Sequence, residues 1–482
     1  MEALSVKEIV KAVGGVLLSG DENIRVTSVS TNSRELIEGA LFVPIIGERV
    51  DGHKFIAGAI DQGAKAVFTA DVPDDMIKGA AYIKVHDTLR ALQSLAGYYR
   101  NMFDIPVVGI TGSVGKTTTK EMIASVLGTK FQVVKTQGNM NSQVGLSLTL
   151  FGIEKSHEVA VVEMGMSEPG EMEKLSKIAR PTISVITNIG VSHIAQLGSK
   201  ENIRREKLNI IDENTENSVL YINGQDVLLK EITSFKDSLP REKETIPLSE
   251  KTCEALVKTS IKTYGIGEEY AFRAVNVCSK QECTIFTYVS DMYKEEIILK
   301  VLGDHNVMNG VVALAIGEQL GIDPKLGKQG LYEYEPIAMR GQILKKNGLV
   351  IIDDTYNASP DSMKSGIAVL HSLEGVRRRI AVLADVLELG EASYELHYQV
   401  GESIVKDALE GKRIEELVVI GESAKAISEA VEKGKVGITT HAFCNNTEAT
   451  TYLKQILFTG DAILVKGSRG MHTDEIVMNL SE

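Results

Sequence analysis

Val107-Val108-Gly109-Ile110-Thr111-Gly112-Ser113-Val114-Gly115-Lys116-Thr117-Thr118 is the stretch on which the fold turns. The run from Ile105 through Ile110 has the pattern of a buried strand, and Lys120 to Leu127 that of a helix. Glycines between them let the backbone fold tightly, so that several N–H groups can point at one phosphate. The helix N-terminus adds its partial positive charge. Lys116 would bring a full charge to the terminal phosphates and Thr117 a hydroxyl to Mg²⁺. The common spacing G-x-x-x-x-G-K-S/T would need Gly at position 110, where Ile stands; the chain offers the shorter Gly112-x-x-Gly115-Lys116-Thr117. A chance glycine turn is the alternative, and the strand–loop–helix context argues against it. Thr111, Gly112, Ser113, Val114, Gly115, Lys116, Thr117 and Thr118 are the expected nucleotide-binding residues.

Outward from this loop, apolar runs at Val159 to Val162 and Ile183 to Ile186 alternate with helical stretches. That rhythm predicts a parallel sheet with helices on both faces. Residues 253–302 break it; rich in Thr, Tyr, Val and Ile, they predict an antiparallel set or an extension of the sheet. Near Pro336 the alternation resumes, with strands expected at Leu349 to Ile352, Ile380 to Leu383, Leu417 to Ile420 and Ala462 to Val465. Before the loop, a helix from Ser5 to Val13 and strands at Val26 to Val29 and Leu41 to Ile45 surround polar loops at Thr31 to Arg34, Gly47-Glu48-Arg49 and Asp51-Gly52-His53. The expected fold class is α/β in three domains: a small mixed α/β N-terminal domain (1–100), a central P-loop parallel-sheet domain (101–335) and a C-terminal Rossmann-like doubly wound domain (336–482). A chain of 482 residues is too long for one ordinary core.

Composition narrows the partners. Hydrophobic residues at 43% and charged residues at 24% are those of a soluble globular protein. A net charge of −13 argues against a general nucleic-acid or anionic-membrane binder, so anionic ligands have to be held by local devices. Cys253, Cys278, Cys283 and Cys444 form no C-x-x-C pair and no zinc spacing, as expected of reduced cysteines in the cytoplasm. The first ten residues carry Glu2, Lys7 and Glu8 and do not read as a signal peptide. No run of apolar residues is long enough for membrane insertion.

Further chemistry gathers at strand ends. Glu163 closes an apolar run, where an acid can hold Mg²⁺ directly or through water, although many strands end in Glu for solvation alone. Thr187 to His193 follows another strand, and Lys207 lies in Arg204-Arg205-Glu206-Lys207; a lone His is more often structural, and such a Lys is usually on a solvated helix face. Asp353-Asp354 suits ribose hydroxyls or a cation, and Asp354 could equally be a helix N-cap. Ala384 to Glu391 and Lys466 to Gly470 would line the same rim.

Taken in order, these motifs resemble the Mur ligase family of peptidoglycan synthesis over nearly the whole chain. Gly112 to Thr118 is similar to the family's T-G-x-x-G-K-T-S/T, and Gly138-Asn139-Met140-Asn141 to its G-N-x-N. Glu163-Met164-Gly165, Asn188 to His193, and Lys207 fourteen residues beyond His193 match its metal-site order. Gly303 to Asn309 resembles its adenine-side H-N-x-x-N, and Arg340 with Asp353 to Asn357 the start of its C-terminal domain. The resemblance is strongest to the branch that adds D-alanyl-D-alanine. It rests on Asp353 to Pro360, on Ala384 to Glu391 with downstream His397, and on Leu41-Phe42-Val43-Pro44 before the Gly47 and Asp51 loops. The Asp-Asn-Pro-Arg signature of the diamino-acid-adding branch does not occur.

The resemblance implies an ATP-dependent, Mg²⁺-requiring carboxylate–amine ligase acting through an acyl phosphate, a cytoplasmic monomer whose partners are UDP-N-acetylmuramoyl-tripeptide and D-alanyl-D-alanine. By the same resemblance, Lys116, His193, Lys207 and Arg340 are catalytic. Asn306, Asn309, Arg340, Asp354 and Tyr356 join the phosphate loop around ATP. Ser33, Arg34, Gly47, Asn139, Asn141 and Asn357 touch the substrates. Thr117, Glu163, His193 and a carbamylated Lys207 hold the metal. The chain departs from the family in having Asn32 for Asp, Ser142 for Asn and Ser147 for Pro, positions that bear on uridine and peptide contact. The competing readings are another ligase on the same scaffold, such as a folylpolyglutamate synthase, and a nucleotide-binding partner subunit without catalysis.

Overall fold

The computed structural model describes all residues except 48, 74, 239–247 and 281, so Glu48 of the Gly47 loop lies outside the described residues. Val107–Thr111 is an inner strand of a nine-stranded sheet. It lies between Val159–Glu163 and Ile183–Ile186, parallel to both, with Val133–Lys135 at one edge and Val219–Asn223 and Ser260–Ile266 continuing the parallel set. Strand order reverses at Val107–Thr111, which puts a crevice outside its carboxyl end.

The sheet is then extended. Phe272–Lys280 pairs parallel with its predecessor, and Cys283–Val289 and Lys294–Leu299 add antiparallel strands. Both halves of the expectation for this region hold from residue 272 onward; before it lie a helix, Glu250–Lys258, and a parallel strand. Thr284, Phe286 and Tyr288 point into the core while their neighbours are half-exposed, the alternation of a sheet covered on one face.

The C-terminal sheet has six strands. Leu349–Asp353, Ala462–Lys466, Arg379–Ala384 and Glu416–Ile420 are the four expected strands, parallel and buried. Two further strands, Gln342–Lys346 and Thr439–Phe443, close its edges. Neither is an apolar run, because an edge strand has only one neighbour and keeps polar side chains.

Near the N-terminus, Ser5 and Glu8 form a reciprocal cap on the helix Val6–Val13, and Gly14 ends it in the left-handed conformation. Val26 to Val29 is not one strand: Arg25–Val26 pairs with Leu4–Ser5, whereas Ser28–Ser30 joins a five-stranded sheet with Ala40–Phe42, Ala66–Thr69, Ala81–Lys84 and Val16–Ser19. The strand expected from Leu41 to Ile45 stops at Phe42, two residues before Pro44.

One apolar cluster runs from Leu4 and Phe68 through Tyr99 to Leu146, Met172 and Leu220, so the N-terminal and central sheets share a core. The Tyr99 hydroxyl donates to the Ile153 carbonyl at 2.6 Å, and the buried Arg100 donates to the Ala179 and Phe103 carbonyls, each at 2.9 Å. The C-terminal sheet has its own clusters, one of which includes Val191 and Leu302 from the central part.

Candidate active site

The phosphate loop is braced by the protein's own hydrogen bonds. Gly112 and Gly115 take φ of +148° and +86°, the latter as N-cap of the helix Lys116–Gly128. A Cβ on Gly112 would lie 1.8 Å from the Thr187 hydroxyl oxygen, so only glycine fits there. Ser113 and Val114 donate their N–H groups to the Asn188 carbonyl and side-chain oxygen at 3.1 and 2.9 Å. The Thr187 hydroxyl donates to the Val114 carbonyl at 2.6 Å, and the Gly190 N–H to the Ser113 hydroxyl at 2.8 Å. These bonds leave the first-turn N–H groups of the helix, which have no intrahelical acceptor, facing the crevice. Lys116 Nζ rests on the Gly112 carbonyl at 2.8 Å. Burial pushes its pKa down, Glu163 opposes that, and Arg340 adds to it.

A cavity of about 470 Å³ opens here between the central and C-terminal sheets. Ser113 to Thr118, Asn139, Asn141, Glu163, His193, Asn306, Asn309, Arg340, Asp354, Tyr356 and Asn357 all line it. Arg340 stacks its guanidinium 3.9 Å from the Tyr356 ring, which holds it beside the phosphate loop. Asn309 accepts from the Thr119 hydroxyl at 2.9 Å and so joins the helix Asp304–Gln319 to the phosphate-loop helix.

The other expected residues lie elsewhere. Thr111 is fully buried at its strand end, and Gly112 serves the close approach to Thr187; neither lines the cavity. Ser33, Arg34 and Gly47 lie in loops of the N-terminal part, away from the cavity. Lys207 is 2% exposed, which removes the solvated-face alternative, and it lies behind the cavity wall. Burial, and then the charge of Lys116, push its pKa well below the usual lysine range. Asp354 is not a helix N-cap: the helix Pro360–Ser372 is capped by Ser359, and Asp354 pairs with the buried Lys466 at 2.5 Å. Asp353 turns inward, accepting from the Thr355 hydroxyl at 2.6 Å, and burial raises its pKa.

Lys466, expected on the C-terminal rim, lines the cavity. Reasoning from sequence missed Asn188 as the brace of the phosphate loop, His305 on the cavity wall, and the pairing of Glu388 with His193.

The residues fit a Mg²⁺ ion. Glu163 is 1% exposed; one carboxylate oxygen accepts from Asn141 Nδ2 at 2.7 Å, and the other, Oε2, is buried without a hydrogen-bond partner. A buried carboxylate oxygen left free beside a phosphate-binding helix terminus is suited to a hard cation. Among the described residues no three His, Cys, Asp or Glu side chains form a metal-holding group by themselves. A cation here would share its shell with the Thr117 hydroxyl and phosphate oxygens.

Comparison with known proteins agrees in order and extent. Residues 25–100 match the family described as Mur ligase family, catalytic domain; residues 110–317 match the Mur ligase middle domain; residues 339–469 match Mur ligase, glutamate ligase domain. The UDP-N-acetylmuramoyl-tripeptide--D-alanyl-D-alanine ligase of Bacillus subtilis is 38% identical over 99% of this chain and 98% of its own length. The crystal structure of MurF from Acinetobacter baumannii superposes with a TM-score of 0.87 at 27% identity, covering 100% of this chain and 99% of that one. MurF ligase from Thermotoga maritima in complex with ADP has a TM-score of 0.77 at 26% identity, covering 94% and 97%. From its phosphate loop to its C-terminal rim, this chain belongs to the Mur ligase family.

Proposed function

We propose that this chain joins the amine of D-alanyl-D-alanine to the peptide carboxylate of UDP-N-acetylmuramoyl-tripeptide, converting ATP to ADP and phosphate. The observation that carries the reading is the convergence of Lys116, Glu163 and Arg340 on one cavity, in a chain similar end to end to ligases of that name.

A carboxylate resists attack by an amine because its delocalised charge makes it a poor electrophile. Transfer of the γ-phosphoryl group to a carboxylate oxygen gives an acyl phosphate, with ADP as leaving group. That step needs positioning and charge neutralisation more than covalent help. Lys116 and Arg340 supply positive charge from opposite walls of the cavity, and the helix N-terminus supplies N–H donors. Mg²⁺, when bound, neutralises phosphate charge and orients the transferring group. Thr117, Glu163, His193 and Lys207 are the residues we assign to hold it.

For Lys207 that role requires a carbamate. A neutral lysine amine adds CO₂ and loses a proton, which converts a cation into a carboxylate-like ligand. Burial beside Lys116 disfavours the charged form of the amine and so favours the reaction. The dipeptide's amine, as free base, then attacks the acyl carbon, phosphate departs and an amide forms. Closure of the two walls keeps water from the acyl phosphate.

We assign the uridine part of the acceptor to residues 1–100 through Ser33, Arg34 and Gly47, ATP to 101–335 with Asn306, Asn309, Asp354 and Tyr356 nearby, and the dipeptide to 336–482. We assign Asn139, Asn141 and Asn357, which line the cavity, to contacts with the substrates. Among the described residues no helix is long and apolar enough to cross a membrane, and we assign the enzyme to the cytoplasm.

The deciding experiment incubates the purified chain with ATP, Mg²⁺, the UDP-muramoyl-tripeptide and D-alanyl-D-alanine, and weighs the product. The expected product is the pentapeptide, with ADP release that depends on the dipeptide. ADP release supported by glutamate or a diamino acid, with the dipeptide inert, would overturn the reading in favour of another ligase on this scaffold.

A further inference from the structure

His193 and Glu388 face each other across the gap between the central and C-terminal sheets. Both are non-glycine residues in the left-handed region, with φ of +63° and +66°. Such a conformation is strained for a residue with a Cβ and persists where surrounding structure enforces it. His193 caps the short helix Ile194–Leu197, and its Nδ1 lies 3.2 Å from Glu388 Oε2, in ion-pair range but not aligned for a hydrogen bond.

The Glu388 carboxylate is exposed, but the backbone leading to it is held at each step. Asp385 donates its N–H to the Ile420 carbonyl at 3.1 Å, Val386 to His397 Nε2 at 2.9 Å and Leu387 to the Ser468 hydroxyl at 2.9 Å. His397 is fully buried, and its Nδ1 lies 2.7 Å from the Ser393 carbonyl. That carbonyl can only accept, so the proton sits on Nδ1 and Nε2 is left to take the Val386 N–H: His397 is a neutral imidazole in one tautomer. Three successive N–H groups pinned in this way aim the next residue, Glu388. A Cβ on Gly390 would come within 3.1 Å of the Ala195 Cβ, so the two segments are in close contact.

We propose that Glu388 is the positioning residue through which docking of the C-terminal sheet sets His193. With the ring turned into line, its carboxylate accepts a hydrogen bond from Nδ1–H, fixes the ring, and leaves the Nε2 lone pair for a divalent cation beside the phosphate loop. A carboxylate behind a metal-binding imidazole orients the ring and raises its basicity. Here the carboxylate comes from the other side of the cavity, so the His193 cation position is complete only when the C-terminal sheet is in place. The inference rests on the assignment of His193 to the cation site made above.

The test measures Mn²⁺ binding to the full-length protein by electron paramagnetic resonance, with ADP present, for wild type, His193→Ala, Glu388→Ala and Glu388→Gln. The His193→Ala protein identifies the His-dependent ion. If it binds Mn²⁺ as wild type does, the assignment of His193 fails, independently of Glu388. Glu388→Ala is expected to weaken that same ion about tenfold or more and to leave the remaining Mn²⁺ and ADP binding unchanged. Glu388→Gln, whose amide oxygen still accepts from Nδ1–H, is expected to recover part of the loss. Wild-type Mn²⁺ affinity in Glu388→Ala overturns the proposal, as does a loss of thermal stability in that variant with Mn²⁺ binding intact. Equal losses in the Ala and Gln variants overturn the tautomer argument.

Discussion

Lys116 stands where three observations meet: it is half-buried, it rests on the Gly112 carbonyl, and its pKa is pushed down while Glu163 holds it up. On the proposed mechanism, replacing Lys116 with Ala removes a charge that would face the transferring phosphoryl group, and a loss of about 100- to 1,000-fold in kcat is expected. Steady-state ADP release measures it, and a normal rate would remove Lys116 from the mechanism. Asp212 makes a prediction of a different kind. It is 8% exposed, accepts from the Thr252 hydroxyl at 2.8 Å, and burial pushes its pKa up to about 6. The unfolded value is about 3.9, so the folded protein binds the proton more tightly. Stability is therefore lost as pH rises from about 4 to about 6, and the loss persists above. Asp212→Asn is expected to raise stability at pH 7 by about 2 kcal/mol and to flatten that window. Urea midpoints across the window decide it; a variant that keeps the wild-type slope would rule Asp212 out as the source.

Among elements, the helices Ser393–Leu409 and Lys425–Gly434 pack where Gly401 meets the backbone: a Cβ there would sit 2.4 Å from the Ile427 carbonyl oxygen. Gly401→Ala must push them apart, at about 1–3 kcal/mol of stability by equilibrium unfolding. His397 lies one turn earlier on the first of these helices, so the Val386 amide should exchange faster with solvent in this variant, and unchanged exchange would show the turn to be held by other means. The same elements mark what was legible in the sequence. The phosphate loop was legible because a backbone wrapped around an anion must spend glycines at fixed places. The four inner strands of the C-terminal sheet were legible because strands covered on both faces are apolar throughout. Lys207 was not legible from its neighbours: Arg204, Glu206 and Lys207 read as a solvated face, yet all three are buried. Glu206 accepts the Met172 N–H at 2.9 Å and Arg204 donates to the Leu228 carbonyl at 3.2 Å, so this helix is enclosed on its charged side by partners distant in the chain. The edge strands Gln342–Lys346 and Thr439–Phe443 escaped for the opposite reason, since position in a sheet and not apolarity makes them strands. His193 was legible by motif, but Glu388 lies nearly two hundred residues away and only the fold shows the pair.

Over the whole molecule, the shared core makes the N-terminal and central sheets one mechanical unit, and the C-terminal sheet, whose clusters reach the central part through Val191 and Leu302, a second. Native-state hydrogen exchange should give Ala81–Lys84 and Val159–Glu163 a common opening free energy and Arg379–Ala384 a different one. One free energy shared by all three strands would show a single cooperative unit instead. The braced phosphate loop has a bearing on turnover. Because Asn188 and Thr187 brace the loop through the protein's own hydrogen bonds, nucleotide binding would need little ordering of the loop, and nucleotide release would regain little loop disorder. An ADP held by the same N–H groups would gain nothing from loop disorder on leaving, so its release would fall to movement of the opposite wall, where Arg340 stands.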